Sequence, residues 1–284
     1  MSVKRKLRML GLYAASRLQS GRYAESFHDI RTYCMFIGYP RTGHSLIGSL
    51  LDAHPNIVIA HELDALRFFR RGFSRQQVFH LLLENSRRMA AAGRRHSGYS
   101  YEVPSQWQGR FEKLQVLGDK KGATSTFHFY RDPGLVDSVA KSIGVEMKFV
   151  HVIRNPFDVL ATMTRRQPRK TLDHHMELFF TLCSTNQTLK QRLHPAQIFD
   201  LRLEAFIADP KSHLARLCAF LGVEAGERYL ADCAAIVFKS PQKSRFEIQW
   251  SEESIAKVND GIRAFSFLSG YAYDENAVCA APLP

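Results

Sequence analysis

Two short stretches of the chain concentrate groups suited to holding anions. The first, G-Y-P-R-T-G-H-S from Gly38 to Ser45, has the spacing of a phosphate loop, G-x-x-x-x-G-K-[ST], with His44 in place of the lysine. Such a loop, set between a buried strand and a helix, aims backbone N–H groups and the positive end of the helix dipole at an anion. Gly38 and Gly43 allow close backbone approach, Arg41 adds fixed positive charge, and Ser45 can donate from its hydroxyl. The second stretch, V-I-R-N-P-F-D-V-L-A-T-M-T-R-R, runs from Val152 to Arg166. It puts Arg154 at the end of an apolar run and Thr162 eight residues later, with Pro156 at a helix start. One guanidinium and one hydroxyl would then face the same crevice. Taken singly, the loop is a strand–helix turn and the second stretch a surface Arg with a mid-helix Thr.

These groups need a scaffold that brings them together. Short apolar runs alternate with helical patterns, which predicts an α/β fold: a single phosphate-loop-like domain with a central, mostly parallel sheet flanked by helices. The pattern predicts strands over 34–37, 57–60, 114–117, 148–153 and 198–203, and helices over 45–53, 76–92, 133–143, 156–166, 172–193 and 210–221. Polar residues follow each strand: the loop itself, then His61 and Glu62, Asp119 and Lys120, Arg154, and Glu204. In open parallel sheets the ligand crevice lies beyond the carboxyl ends of the strands, so five such ends describe one site. The stretch 93–113 lacks periodicity and carries Tyr99, Tyr101, Trp107 and Phe111. It reads as a surface excursion that either lines an acceptor pocket or packs on the body.

Bulk properties narrow the setting. The chain has 284 residues, 45% hydrophobic and 23% charged, with a net charge of +12. That size fits one large domain, here 32–284, preceded by a basic lead-in helix at 1–31. The charge favours anionic ligands, nucleic acid or an acidic membrane surface. Five scattered cysteines, Cys34, Cys183, Cys218, Cys233 and Cys279, form no C-x-x-C pair. A zinc or disulfide framework is therefore not expected, and a reducing, cytoplasmic location is. The lead-in MSVKRKLRMLGLYAASRL is basic and mildly amphipathic; it reads as a solvated helix, with peripheral membrane contact as the other reading.

G-Y-P-R-T-G-H-S followed by R-N-P-x-D-x-x-x-T resembles the sulfotransferase family, which uses 3′-phosphoadenosine-5′-phosphosulfate (PAPS). The resemblance implies that Pro40, Arg41, Thr42, Gly43, His44 and Ser45 hold the 5′-phosphosulfate and that Arg154 and Thr162 hold the 3′-phosphate. L-G-D-K-K-G-A, Leu117–Ala123, resembles the family strand whose lysine lies near the transferred sulfonate, here Lys120. I-F-D-L-R-L-E-A-F-I-A-D-P, beginning at Ile198, is similar to the family's L-R-Y-E-D-L-x-x-D-P segment, with Leu203 for the tyrosine. Ser244 and Arg245 match the 3′-phosphate or adenine region more loosely. The R-K-G signature of the cytosolic phenol and steroid branch is absent, which turns the expectation toward a carbohydrate-type or bacterial-type branch.

The implied reaction is in-line transfer of a sulfonate from PAPS to an acceptor hydroxyl or amine, on a carbohydrate, lipid or other small molecule, without a metal. It needs a base at the acceptor and cations at the leaving oxygen. Arg41 and Lys120 suit the cationic work. Glu62, His61 and His44 compete as base, with Glu62 favoured by the resemblance, because it follows the second strand where carbohydrate-type and several bacterial members of the family carry a catalytic glutamate. Adjacent strand residues face opposite sides, so only one of His61 and Glu62 enters the crevice. Asp64 would steer the acceptor or orient a base, and Glu204 would support the loop. Two other readings stand beside this one: a kinase-like phosphotransferase with a damaged loop, and a non-catalytic binder of nucleic acid or acidic surfaces.

Overall fold

The computed structural model describes residues 3–96 and 98–274. Helix α1 (Val3–Gln19) leads through two 3-10 turns into strand β1 (Thr32–Gly38), α2 (His44–Leu51), β2 (Ile57–His61), α3 (Ala65–Phe69) and α4 (Arg75–Ala91). A small hairpin, β3 (Arg95–His96) and β4 (Tyr99–Ser100), precedes β5 (Val116–Lys120), α5 (Gly122–Arg131), α6 (Leu135–Ile143) and β6 (Glu146–Ile153). Then come α7 (Pro156–Arg166), α8 (Leu172–Arg192), β7 (Ile198–Arg202), α9 (Leu203–Ala208), α10 (Pro210–Leu221), α11 (Glu227–Ala235) and α12 (Glu252–Arg263).

The five long strands form one parallel sheet in the order β2-β5-β1-β6-β7. Parallel strands must be joined by crossovers, and these put helices on both faces. Alternation along β1 divides the core accordingly. Tyr33, Met35 and Ile37 pack with Leu82 and Phe79 of α4 on one face. Cys34 and Phe36 pack with Leu50 of α2 and Leu217 of α10 on the other. A third apolar cluster joins α7, α8 and α12 through Phe157, Phe179 and Ile262. The expected α/β scaffold with a parallel sheet and flanking helices is thus what the chain builds.

The helices expected over 156–166 and 210–221 occupy those residues. Asn155 accepts from Phe157 N–H at 3.0 Å and so caps α7, with Pro156 as its first residue. The structure departs from the expected elements at three places. The third strand runs two to three residues later than the pattern predicts, so Asp119 and Lys120 lie inside it, paired with Ala60 and His61 of β2. Charged residues at a buried strand end look like loop residues in the sequence. Helix α5 was not anticipated: its Thr- and Phe-containing sequence favours strand, and packing against β1 and α8 overrides that preference. Leu203, expected as strand, opens α9.

The lead-in helix is not held off in solvent. Met9, Leu12 and Tyr13 pack against the core, and the Gln77 amide of α4 donates to Tyr13 O and Ser16 Oγ, both at 3.0 Å. Among the described residues no helix is long and apolar enough to cross a membrane. Cys34, Cys183, Cys218 and Cys233 are buried free thiols; Cys279 lies outside the described residues.

The aperiodic stretch 93–113 is pinned by one buried carboxylate. Asp52 accepts from Ile59 N–H at 2.6 Å, Ser86 Oγ at 2.7 Å and Gly109 N–H at 2.9 Å, and it pairs with the buried Arg94 guanidinium. Removing one partner of such a pair strands the other charge in the core. Arg94→Met is therefore expected to cost about 3–5 kcal/mol, read as a lower denaturant midpoint. A change below about 1 kcal/mol would mean that the pair does not anchor this stretch.

Candidate active site

A cleft of about 660 Å³ opens beyond the carboxyl ends of β1, β2, β5 and β6. Strand β1 lies between β5 and β6, so chain connections leave it toward opposite sides, which is where parallel sheets leave a crevice. Five cationic side chains line the cleft, Arg41, Lys120, Lys121, Arg154 and Arg166, against one carboxylate, Glu62. The balance suits a ligand carrying several negative charges.

The loop 38–45 joins β1 to α2. Gly43 takes φ 90°, and a Cβ there would meet Leu203 at 2.7 Å, so the position demands glycine twice over. The first N–H groups of α2, at His44 and Ser45, have no partners within the helix. Arg41 sits at φ 67° with its guanidinium exposed and in no ion pair among the described residues. Partial burial and then the nearby Arg166 lower its pKa. Pro40 and Ser45 line the cleft.

Thr42 and His44 also border the cleft, but their side-chain polar atoms turn inward. The His44 ring is buried, with Nε2 3.0 Å from Ile37 O and Nδ1 3.0 Å from Thr42 Oγ1. A carbonyl only accepts, so Nε2 carries the proton, and the Thr42 hydroxyl shares its one proton between Nδ1 and Tyr39 O, 3.1 Å away. Burial, despite the Ile37 carbonyl, pushes His44 down to about 4. Its ring rests on Gly122, where a Cβ would approach to 2.5 Å. The imidazole is thus a strut beneath the loop. It is not placed to serve as base or to donate to an anion from its ring.

Where a loop lysine would stand, an ammonium arrives from the neighbouring strand. Lys120 ends β5, passes over Gly48 of α2, and donates to Ser45 Oγ at 3.0 Å and Glu62 Oε1 at 3.1 Å. Lys121 reaches Glu62 Oε2 at 3.3 Å. Burial alone would raise the Glu62 carboxyl; the two ammonium groups outweigh it and hold it at about 2. Lys120 is itself lowered, because burial outweighs Glu62's attraction.

Glu62 takes φ 55° in the turn after β2. Asp119, facing the other side of β5, holds that turn by accepting from Leu63 N–H at 3.1 Å and Ala65 N–H at 2.8 Å. Burial raises Asp119 to about 6, against those two N–H groups. Asp64 pairs with His128 at 2.9 Å and does not line the cleft. Of the two residues at the end of β2, Glu62 lines the cleft and His61 does not.

Arg154 is fixed by two carbonyls, Arg41 O at 3.0 Å and Gln242 O at 2.5 Å. It therefore ties the anion loop to the segment around 240 while its charge meets no ion pair among the described residues. Thr162 lines the cleft, its hydroxyl proton on Asp158 O at 2.7 Å. Arg245 is spent elsewhere: its backbone N–H and Nη1 each meet Asp158 at 2.9 Å. Ser244 is buried 3.5 Å from Arg154. From this segment Ser240 and Gln242 line the cleft, and Ser244 and Arg245 do not. Glu204 accepts from Asn155 N–H at 2.8 Å and the Tyr271 hydroxyl at 2.7 Å, a supporting role. Sequence reading missed Lys121, Arg166, His96 and Phe238 in the cleft wall; Tyr99 and Tyr101 line it, as one of the two readings of 93–113 expected. Lys121 and Arg166 adjoin residues it selected; His96 and Phe238 lie where no periodicity gave direction.

Comparison with known proteins agrees with this geometry. A family model described as "Sulfotransferase family" matches residues 35–227, which spans the loop, Lys120, Arg154 and Glu204. The sulfotransferase domain of the Synechococcus PCC 7002 olefin synthase shares the fold at TM-score 0.54 and 15% identity, over 83% of this chain and 94% of that one. A sulfotransferase domain from the curacin biosynthetic pathway does so at TM-score 0.54 and 13% identity, over 83% of this chain and 96% of that one. None of the curated proteins matches the chain in sequence. That match spans more than half of the sequence, and the chain belongs to the sulfotransferase family.

Proposed function

We propose that this sulfotransferase takes its sulfonate from PAPS and passes it in line to an acceptor hydroxyl, with Glu62 as the proton acceptor. The observation that carries the reading is the excess of five cations over one carboxylate around a helix-capped loop. PAPS supplies an activated sulfonate on a mixed phosphate–sulfate anhydride at its 5′ position and a separate phosphate at its 3′ position. The cleft offers two cationic ends to match: the loop with Arg41 and Lys120, and Arg154 with Thr162.

Glu62 accepts the hydroxyl proton as the acceptor oxygen bonds to sulfur and the sulfur–oxygen bond to the phosphate breaks. Lys120 and Arg41 stabilise the charge left on the phosphate oxygen. Held at about 2, Glu62 is a poor base in the ligand-free cleft. Lys120, however, is shared between Glu62 and Ser45. An anion seated at the loop competes for that ammonium, frees Glu62 and raises its basicity. Donor occupancy and base activation are coupled through one side chain.

The phosphotransferase reading loses ground on Asp119. A phosphate-loop kinase needs an acidic residue for magnesium beside its loop. The carboxylate at the end of β5 spends both oxygens on Leu63 and Ala65 N–H.

Calorimetry with 3′-phosphoadenosine-5′-phosphate, 5′-AMP and Mg-ATP tests the donor. The 3′-phosphorylated ligand is expected to bind best, and Arg154→Ala to weaken it by roughly 10–100-fold, the value of hydrogen bonds to a charged group. Preference for Mg-ATP would sink the reading. Glu62→Gln is expected to lower kcat by roughly 10²–10⁴-fold and to leave binding of the 3′,5′-bisphosphate equal or tighter, since Lys120 loses its competitor. Weaker binding would show that Glu62 positions the donor instead. The pH dependence follows with its sign. Glu62 lies below its ordinary range before the donor binds and rises once Lys120 is drawn off. The acid limb of kcat should therefore sit at higher pH than that of kcat/KM for the donor; the opposite order would exclude the coupling.

A further inference from the structure

Beside the Lys120–Glu62 pair the cleft edge carries two imidazoles. His61 ends β2 and His96 ends β3, and their rings meet edge to face with centroids 4.6 Å apart. The His61 backbone N–H donates to Asn85 at 2.7 Å, but its Nε2 is buried with no hydrogen-bond partner. A buried ring nitrogen without a partner is uncommon enough to need a reason. One ligand atom from each of His61, Glu62 and His96 lies within 4.8 Å of the other two. Neither imidazole has a role in the transfer described above.

We propose that His61, Glu62 and His96 form a site for one divalent ion of the zinc class, and that its occupancy silences the enzyme by taking Glu62 from its lysines. The silencing rests on Glu62 as the base; the binding does not.

The donor set selects the ion. Two imidazoles and one carboxylate suit zinc and its neighbours and do not suit magnesium or calcium, which take oxygen. The dimensions agree. Three atoms within 4.8 Å of one another leave an ion at their centre no more than about 2.8 Å from each, so shifts of roughly 0.7 Å reach normal bond lengths. His96 stands in the cleft wall on a short hairpin. Three protein ligands would leave a fourth position open to the cleft.

The opposing force is also visible. Lys120 and Lys121 already hold the two Glu62 oxygens at 3.1 Å and 3.3 Å. An ion must displace at least one of them, so the metal and the lysine clamp exclude each other. The site is then inhibitory and of moderate affinity, and it tightens when a lysine is removed.

Zinc binding to the full chain, measured by competition with a chromophoric chelator, tests this directly. A Cys279→Ser background removes that thiol as a ligand. One ion per chain is expected, bound at least tenfold more weakly by His96→Ala and more tightly by Lys121→Ala. Cobalt should give a visible absorption band that His96→Ala abolishes. His96→Ala should lose zinc inhibition, read as the ratio of its own rates with and without the ion, whatever its basal rate. Equal zinc affinity in His96→Ala, or weaker binding in Lys121→Ala, would overturn the site. If the ion binds as described but does not inhibit, the site stands and Glu62 as base falls.

Discussion

A buried ammonium is the constraint on which the cleft depends. Lys120 is almost wholly removed from water, and a charge so placed must be paired. Its two partners come from different elements: Ser45 from the start of α2 and Glu62 from the turn after β2. Meeting that demand fixes three things together: the pitch of the loop against β5, the left-handed turn that carries Glu62, and the absence of a side chain at Gly48, over which the lysine stem passes. Neighbouring Asp119 faces the opposite side of the same strand and secures the turn from beneath. One dipeptide at a strand end thus organises both walls of the crevice.

The loop's departure from the nucleotide-triphosphatase pattern follows from the same arrangement. A lysine at position 44 would bring a second ammonium to the place Lys120 already fills. An imidazole is short enough to fold under the loop, and burial keeps it uncharged. It joins Ile37 O to Thr42 and seats on Gly122, so β1, the loop and α5 are braced by one ring. His44 is therefore a consequence of delivering the charge from β5. Arg41, outside the braced part, remains exposed at the cleft.

How much of this was legible from the sequence follows physical lines. Parallel-sheet architecture and the four motif-bearing strand ends were readable because buried strands and first-turn prolines leave strong local patterns. Arg154, Thr162, Lys120 and Glu62 all reach the cleft as their positions in those patterns imply. What failed was side-chain direction. His44 and Thr42 look like ligand donors by spacing, yet their polar atoms are consumed within the loop. Arg245 offers a free charge in the sequence and meets Asp158 in the fold. The outcome for Arg245 depends on a partner 87 residues away, and that for His44 on its ring folding back onto Ile37 and Thr42; no local period encodes either. Helix α5 failed for a related reason: its strand-like composition yields to packing.

The second wall of the cleft left a weaker trace in the sequence for a further reason. It comes from the hairpin 95–100 and the segment around 238, neither of which belongs to the sheet. Tyr99 and Phe238 meet edge to face at 5.6 Å across this mouth, both substantially exposed. Arg94 and Asp52 are buried together where the chain enters this hairpin. The division follows where the groups stand on the scaffold. The charged groups of the cleft sit on strand ends and helix starts, where the backbone is pre-set. The aromatic groups of the second wall sit on short connections, which vary more freely. A sequence declares the first kind through charge and glycine spacing. The second kind is written only in which surface those connections happen to face.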